Sequence, residues 1–131
     1  VIEKEFITDS GGAGASRGGL GQKVILESVS NYPTRVFLLT DRIHNPARGY
    51  DGGADGQVGA IYLNDVAIDE PKGEVVLHRG DRITLLLPGG GGYGSPQQRS
   101  ADKITMDLEN ELVSPTAARA DYDFEVKMDC N

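Results

Sequence analysis

Apolar positions in this chain come in short runs separated by glycine, a pattern that predicts strands joined by long loops rather than extended helices. Val1 to Phe6 alternates in character, with Ile2, Lys4 and Phe6 marking a short edge strand. The run GGAGASRGGLG from Gly11 to Gly21 follows, too flexible for regular structure and free to adopt positive φ at several points. Val24 to Tyr32 and Thr34 to Ile43 are rich in β-branched and apolar residues, and Asn31-Tyr32-Pro33 punctuates them. They predict two antiparallel strands. His44 to Gly59 holds Asn45-Pro46 and the glycines Gly49, Gly52, Gly53, Gly56 and Gly59, which predicts a second loop of a length that usually carries function. Ala60 to Ile68 predicts a hairpin turning at Asn64-Asp65. A second hairpin is expected between Glu74–Leu77 and Arg82–Leu87, across His78-Arg79-Gly80-Asp81, and its continuous Ile-Thr-Leu-Leu-Leu run predicts burial on both faces. A third glycine loop, Pro88 and then Gly89 to Gly94, comes directly after it.

Only the last third has helical spacing. Ser100 is placed to cap a helix running to about Leu112, with Ile104, Leu108 and Leu112 four residues apart, and Ser114-Pro115 opens a second short helix. Strands first and helices last give an α+β fold, predominantly antiparallel β with long glycine-rich loops and two short C-terminal helices. A chain of 131 residues fits one domain, β-rich over 1–99 with a helical tail over 100–131.

Composition adds one puzzle and several exclusions. Eighteen glycines in 131 residues is about twice the usual ~7%, and each costs extra backbone entropy on folding. Either an interface with a partner or enclosed backbone turns must offset that cost. The isolated chain is therefore expected to be marginal or aggregation-prone. A net charge of −7 and a pI near 4.7 disfavour nucleic acid as a partner. Acidic residues crowd the segment after Ser100 (Asp102, Asp107, Glu109, Glu111, Asp121, Asp123, Glu125 and Asp129), which predicts a solvated acidic face. The lone Cys130 allows no intrachain disulfide and fits a reducing compartment. With no apolar run near the ~18 residues of a membrane span and no leader ahead of the first glycines, a cytoplasmic location without membrane partners is expected.

Familiar chemical motifs fail in specific ways. Gly12 and Gly14 match the start of a dinucleotide fingerprint, but its third position is Arg17 and a strand follows instead of a helix; no Gly-Lys-Ser/Thr phosphate loop occurs either. His44 and His78 are widely separated and no calcium-loop spacing surrounds Asp51 and Asp55, so no metal ligand is assigned. Ser16, Ser95 and His78 lie in no recognisable nucleophile setting. Two features remain as candidates. Arg17, flanked by small residues, is positioned to reach a carboxylate or phosphate. Gly89, Gly90, Gly91, Gly92 and Tyr93 could present bare backbone N–H groups to an anion while the ring packs or hydrogen-bonds.

Four blocks carry a resemblance to a known family: DSGGAGASRGGLG (Asp9 to Gly21), GYDGGADGQVGAIYLN (Gly49 to Asn64), HRGDRITLLLPGGGGYGSP (His78 to Pro96) and LVSPTAARADY (Leu112 to Tyr122). In this order they resemble the C-terminal region of the hydantoinase B/oxoprolinase family, over nearly the whole chain. The resemblance implies a component of an ATP-dependent enzyme that is inactive alone. Its partners would be larger hydantoinase A-type and B-type subunits, and ATP and a divalent metal would be bound in those partners, with no cofactor on this chain. The short length looks most like the small subunit of a biotin-independent ketone carboxylase of the acetophenone type. A fragment of a hydantoin- or oxoproline-cleaving amidohydrolase and a non-catalytic structural adaptor are the alternatives. The acidic stretch from Asp51 to Asp55 and the tail from Asp123 depart from the family and inherit no role.

Overall fold

The computed structural model describes residues 1–68 and 72–124, which build two antiparallel sheets followed by two helices. Strand β1 (Glu3–Phe6) lies at the edge of the larger sheet, as its alternation predicts, and pairs with β2 (Gln22–Glu27) from Glu3 opposite Ile25 to Phe6 opposite Gln22. Numbering the strands along the chain, β3 is Thr34–Leu39, β4 Ala60–Leu63, β5 Val66–Ala67, β6 Lys72–Leu77 and β7 Arg82–Leu86. The five-stranded sheet has the order β1-β2-β7-β4-β5, and β3 pairs with β6 in a separate ribbon.

Two expected pairings are corrected by this topology. β2 and β3 do not form a pair, because both edges of β2 are occupied, by β1 and by β7. β6 and β7 do not close a hairpin either, because β7 has β2 on one side and β4 on the other. The turn itself forms where the sequence places it, with Gly80 at φ +89° and the Asp81 amide donating to the His78 carbonyl at 2.9 Å. It carries the chain from one sheet to the other. The β2–β3 connection crosses beside it, joined through Ser28 N–H to Asp81 C=O (3.0 Å) and Gly80 N–H to Ser28 C=O (2.8 Å). Hydrogen bonds from the His78 amide and the Asn64 side chain hold the Asp81 carboxyl below the usual carboxylate range. Its support of this turn is present above the ordinary Asp range and is lost as pH falls through the lowered value.

The Asn64-Asp65 hairpin joins β4 and β5 with φ of +48° and +67°, the two left-handed residues of a type I′ turn. Ile61 and Ile83, 3% and 1% exposed, project from the larger sheet against Leu38 and Leu77 of the ribbon, with Leu26, Val36, Leu63, Val75 and Leu85 around them. Each fully buried side chain of this kind contributes roughly 1.5–3 kcal/mol. The continuous apolar run of β7 is explained by its central place in the sheet: Ile83 is buried and Thr84, Leu85 and Leu86 are half-buried.

Helix α1 spans Ala101–Glu109 and α2 spans Pro115–Tyr122. Both begin as the sequence predicts, with the Ser100 hydroxyl accepting from the Lys103 amide and the Ser114 hydroxyl from the Ala117 amide. α1 stops short of Leu112, since Glu111 turns left-handed at φ +58° and the Leu112 amide folds back onto the Asp107 carbonyl at 2.9 Å. Ile104, Val113, Ala118 and Tyr122 form a second core cluster with Ala13 of the first glycine loop. The Ser114 amide also donates to the Asp9 carboxylate at 2.7 Å, tying the start of α2 to that loop. Ser114→Ala is expected to cost about 1 kcal/mol, read by urea denaturation. Cys130 and the tail acids Glu125 and Asp129 lie outside the described residues. No described helix is long and apolar enough to cross a membrane.

Candidate functional site

The three glycine loops, far apart in sequence, pack into one bundle of backbone on backbone. Residues 89–92 run through its middle, and each successive glycine faces a different neighbour. A Cβ built on Gly89 would lie 1.8 Å from the Ser10 carbonyl oxygen, and one on Gly91 2.1 Å from that of Arg48. On Gly92 it would meet the Ala13 oxygen at 2.2 Å, and on Gly90 the Gly19 nitrogen at 3.2 Å. Successive Cβ atoms of an extended segment point to opposite faces, so backbone packed on one face excludes side chains at alternate positions; here both faces are covered, which leaves no room at Gly89, Gly91 and Gly92 and a tight fit at Gly90.

The surrounding segments are held in the same way. Gly11 faces the Gly18 oxygen, Gly12 that of Ala54, Gly18 that of Gly90, Gly49 that of Gly53 and Gly53 that of Gly92, all at 2.1–2.2 Å from a built Cβ. Hydrogen bonds run across the contacts, from Gly12 N–H to Gly90 C=O (2.8 Å), Ala54 N–H to Ala13 C=O (2.7 Å), Gly92 N–H to Ala54 C=O and Tyr50 N–H to Gly92 C=O (both 2.9 Å). The positive φ expected along Gly11–Gly21 is not found, and in the bundle only Gly52 and Gly94, at its turns, adopt it among the glycines. Glycine is used here for close approach of chains. Its entropic cost is offset within the molecule by the backbone hydrogen bonds that the approach permits.

The predicted anion-facing run is the centre of this bundle. The amides of Gly89, Gly90, Gly92 and Tyr93 donate to the carbonyls of Gln57, Gly19, Ala54 and Ser16 at 2.9–3.0 Å. Tyr93 exchanges two backbone hydrogen bonds with Ser16, and its ring stacks on Tyr50 with centroids 6.0 Å apart and planes 23° apart. Both rings are exposed. The Asp55 carboxylate accepts from the Gly49 amide at 2.8 Å, which makes it a loop-fixing group, and Asp51 sits in a left-handed turn.

Arg17 points inward from the first loop. Its Nε and Nη2 donate to the two carboxylate oxygens of Asp107 at 3.1 and 3.4 Å, and its Nη1 to the Gly18 carbonyl at 2.8 Å. Arg99 donates from Nη2 to the same carboxylate at 2.8 Å and from Nη1 to the Ala15 carbonyl at 3.2 Å. One carboxylate thus bridges two guanidiniums, clamping the glycine loop, the segment after the 3₁₀ turn at Pro96–Gln98, and α1 together. All three side chains are largely buried, at 16% exposure for Arg17, 8% for Arg99 and 7% for Asp107. Arg99 Nε is buried with no hydrogen-bond partner among the described residues, and Tyr122 lies against the clamp, its hydroxyl pushed above the usual phenol range by burial.

The acidic run after Ser100 is thereby divided. Asp102, Glu109, Glu111, Asp121 and Asp123 are exposed as expected, but Asp107 is not part of a solvated face. Arg99 and Asp107 escaped the reading of the sequence. Their signal was an acid on the apolar side of α1, three residues after buried Ile104, where a carboxylate needs an internal partner. Among the described residues no three His, Cys, Asp or Glu side chains converge as a metal site.

A model of the hydantoinase B/oxoprolinase family matches residues 1–96, both sheets and all three glycine loops. The chain belongs to that family. Among hydantoinase B relatives, the caprolactamase subunit beta of Pseudomonas jessenii is 32% identical over 133 aligned positions, covering 89% of this chain and 21% of the subunit. The crystal structure of the ATP-dependent caprolactamase from the same organism superposes on the whole chain with a TM-score of 0.77 at 24% identity, using 24% of its own length. Nucleotide-free acetone carboxylase shares the fold over 98% of this chain and 22% of its own, with a TM-score of 0.70 at 16% identity. The chain therefore spans less than a quarter of each of these proteins.

Proposed function

We propose that this hydantoinase B-type chain is the rigid backbone-packed frame of an ATP-dependent multi-subunit enzyme, and that the chemistry is done by the longer polypeptides with which it is built. One observation carries this reading: of the groups offered for anion binding, Arg17 is engaged with Asp107, and the amides of Gly89, Gly90, Gly92 and Tyr93 donate to the chain's own backbone. ATP and a divalent metal belong, in this reading, to the partner portions.

Cyclic-amide opening is the reaction class favoured by sequence, since the related caprolactamase subunit is 32% identical to this chain. Carboxylation of a ketone, the acetophenone-type reading, is supported by a likeness of fold to acetone carboxylase. Native mass spectrometry of the untagged chain purified from its source cells, followed by ATP-turnover assays on the assembly, tests both. Co-purification with hydantoinase A-type and B-type polypeptides is expected, with ATP hydrolysis stimulated by a cyclic amide. Stimulation only by ketone and bicarbonate together would select the carboxylase, and a monomer without partners would refute the assembly reading.

A further inference from the structure

The ribbon of β3 and β6 buries apolar side chains on its inner face and also exposes large ones on its outer face. In β3 (Thr-Arg-Val-Phe-Leu-Leu) the pleat sends Val36 and Leu38 into the core, while Phe37 and Leu39 stand outward at 70% and 93% exposure. Val76 of β6 joins them from the neighbouring strand at 41%. An ion pair between Arg35 and Glu74, 3.1 Å apart, lies among these side chains, and Lys72 takes the register position opposite Leu39. A strand that borders solvent alternates apolar with polar, whereas Val36-Phe37-Leu38-Leu39 is the unbroken run of a strand covered on both sides. A two-stranded ribbon is also marginal by itself and gains its stability from what packs on it.

We infer that the outer face of this ribbon is a docking surface for the remaining, larger part of the hydantoinase B-type polypeptide, which adds a further layer over Phe37, Leu39 and Val76. The inference rests on the functional reading above. Two observations favour this occupant over a second copy of the chain. A net charge of −7 on each copy opposes self-association, and three large side chains fall short of the roughly 20–30 residues a side that stable dimers use. The related proteins continue for more than three quarters of their length outside this region. A small patch is sufficient when other contacts already hold the pieces together, because the entropy of association has been met elsewhere.

Hydrogen–deuterium exchange on the assembly purified from source cells, compared with the chain alone, tests the inference together with the variants Phe37→Lys and Leu39→Lys. Amides of residues 34–39 and 73–77 are expected to exchange at least about tenfold more slowly in the assembly, and each variant to weaken association about 30-fold or more. Met106→Lys, at an exposed position on α1, serves as the control and should associate within about twofold of the parent. Melting temperatures of the isolated variants within about 2 °C of the parent would show that the fold is intact. If a hydantoinase B-type polypeptide co-purifies but the ribbon gains no protection and Phe37→Lys associates normally, the docking inference is wrong and the functional reading stands. Absence of any such polypeptide sinks the reading and the inference together. A homodimer that protects the ribbon and is dissolved by Phe37→Lys would assign the face to a second copy instead.

Discussion

Asp107→Ala is expected to lower the stability of the chain by about 3–5 kcal/mol, the range seen when one partner of a buried ion pair is removed. For a domain of this size that corresponds to a fall of roughly 10–20 °C in Tm. The effect is large because the carboxylate is shared: its loss strands two guanidiniums, Arg17 and Arg99, at 16% and 8% exposure. Among the described residues, Arg99 already buries an unpartnered Nε and has only the Ala15 carbonyl left. Thermal unfolding followed by circular dichroism measures the change, and a shift below about 3 °C would show that the clamp is solvated and contributes little. The triple replacement Asp107→Leu, Arg17→Met, Arg99→Met separates charge from packing. It should recover most of the lost stability, since an apolar cluster of similar volume replaces a buried ionic one at little net cost.

Gly18→Ala and Gly19→Ala, one residue apart, are expected to differ in sign. At Gly18 the new methyl would stand 2.1 Å from the Gly90 carbonyl oxygen and 2.5 Å from its carbon, both backbone atoms of the central segment. No rotamer relieves that clash, so the loops must separate and surrender the hydrogen bonds that join them. A loss of more than about 3 kcal/mol, or failure to fold, is the expected result. Gly19 has nothing within 4 Å of a built Cβ and does not adopt the left-handed φ that disfavours alanine. Gly19→Ala should therefore stabilise by about 0.4–1 kcal/mol, through the entropy removed from the unfolded chain. Equal effects at the two positions, measured by denaturant titration, would mean that the bundle is not close-packed.

Local signals survived into the structure wherever the deciding interaction was itself local. Ser100 and Ser114 cap helices because their hydroxyls reach amides three residues on. Asn64-Asp65 makes its turn because both residues tolerate left-handed φ. The edge placement of β1 also agrees with expectation. Strand partnership does not. Proximity in sequence pointed β2 toward β3 and β6 toward β7, yet β7 took β2 and β4 as neighbours and left β3 and β6 to each other. A strand's apolar pattern says which face is buried and carries no information about which edge finds which partner.

The sequence by itself determined the elements, their caps and turns, the α+β order, and membership of the hydantoinase B/oxoprolinase family, because each of these is written in contiguous residues. Only the tertiary structure decided what the glycines pack against and which carboxylate Arg17 pairs with. Whether a glycine serves a turn or a close contact depends on what lies where its Cβ would be, and at Gly18 that atom belongs to Gly90, far along the chain. Whether an arginine reaches outward or inward depends on the nearest uncompensated carboxylate, which for Arg17 is Asp107, 90 residues away. Such pairings are fixed by packing across long sequence separations, and nothing in the local spacing of either residue could have announced the other.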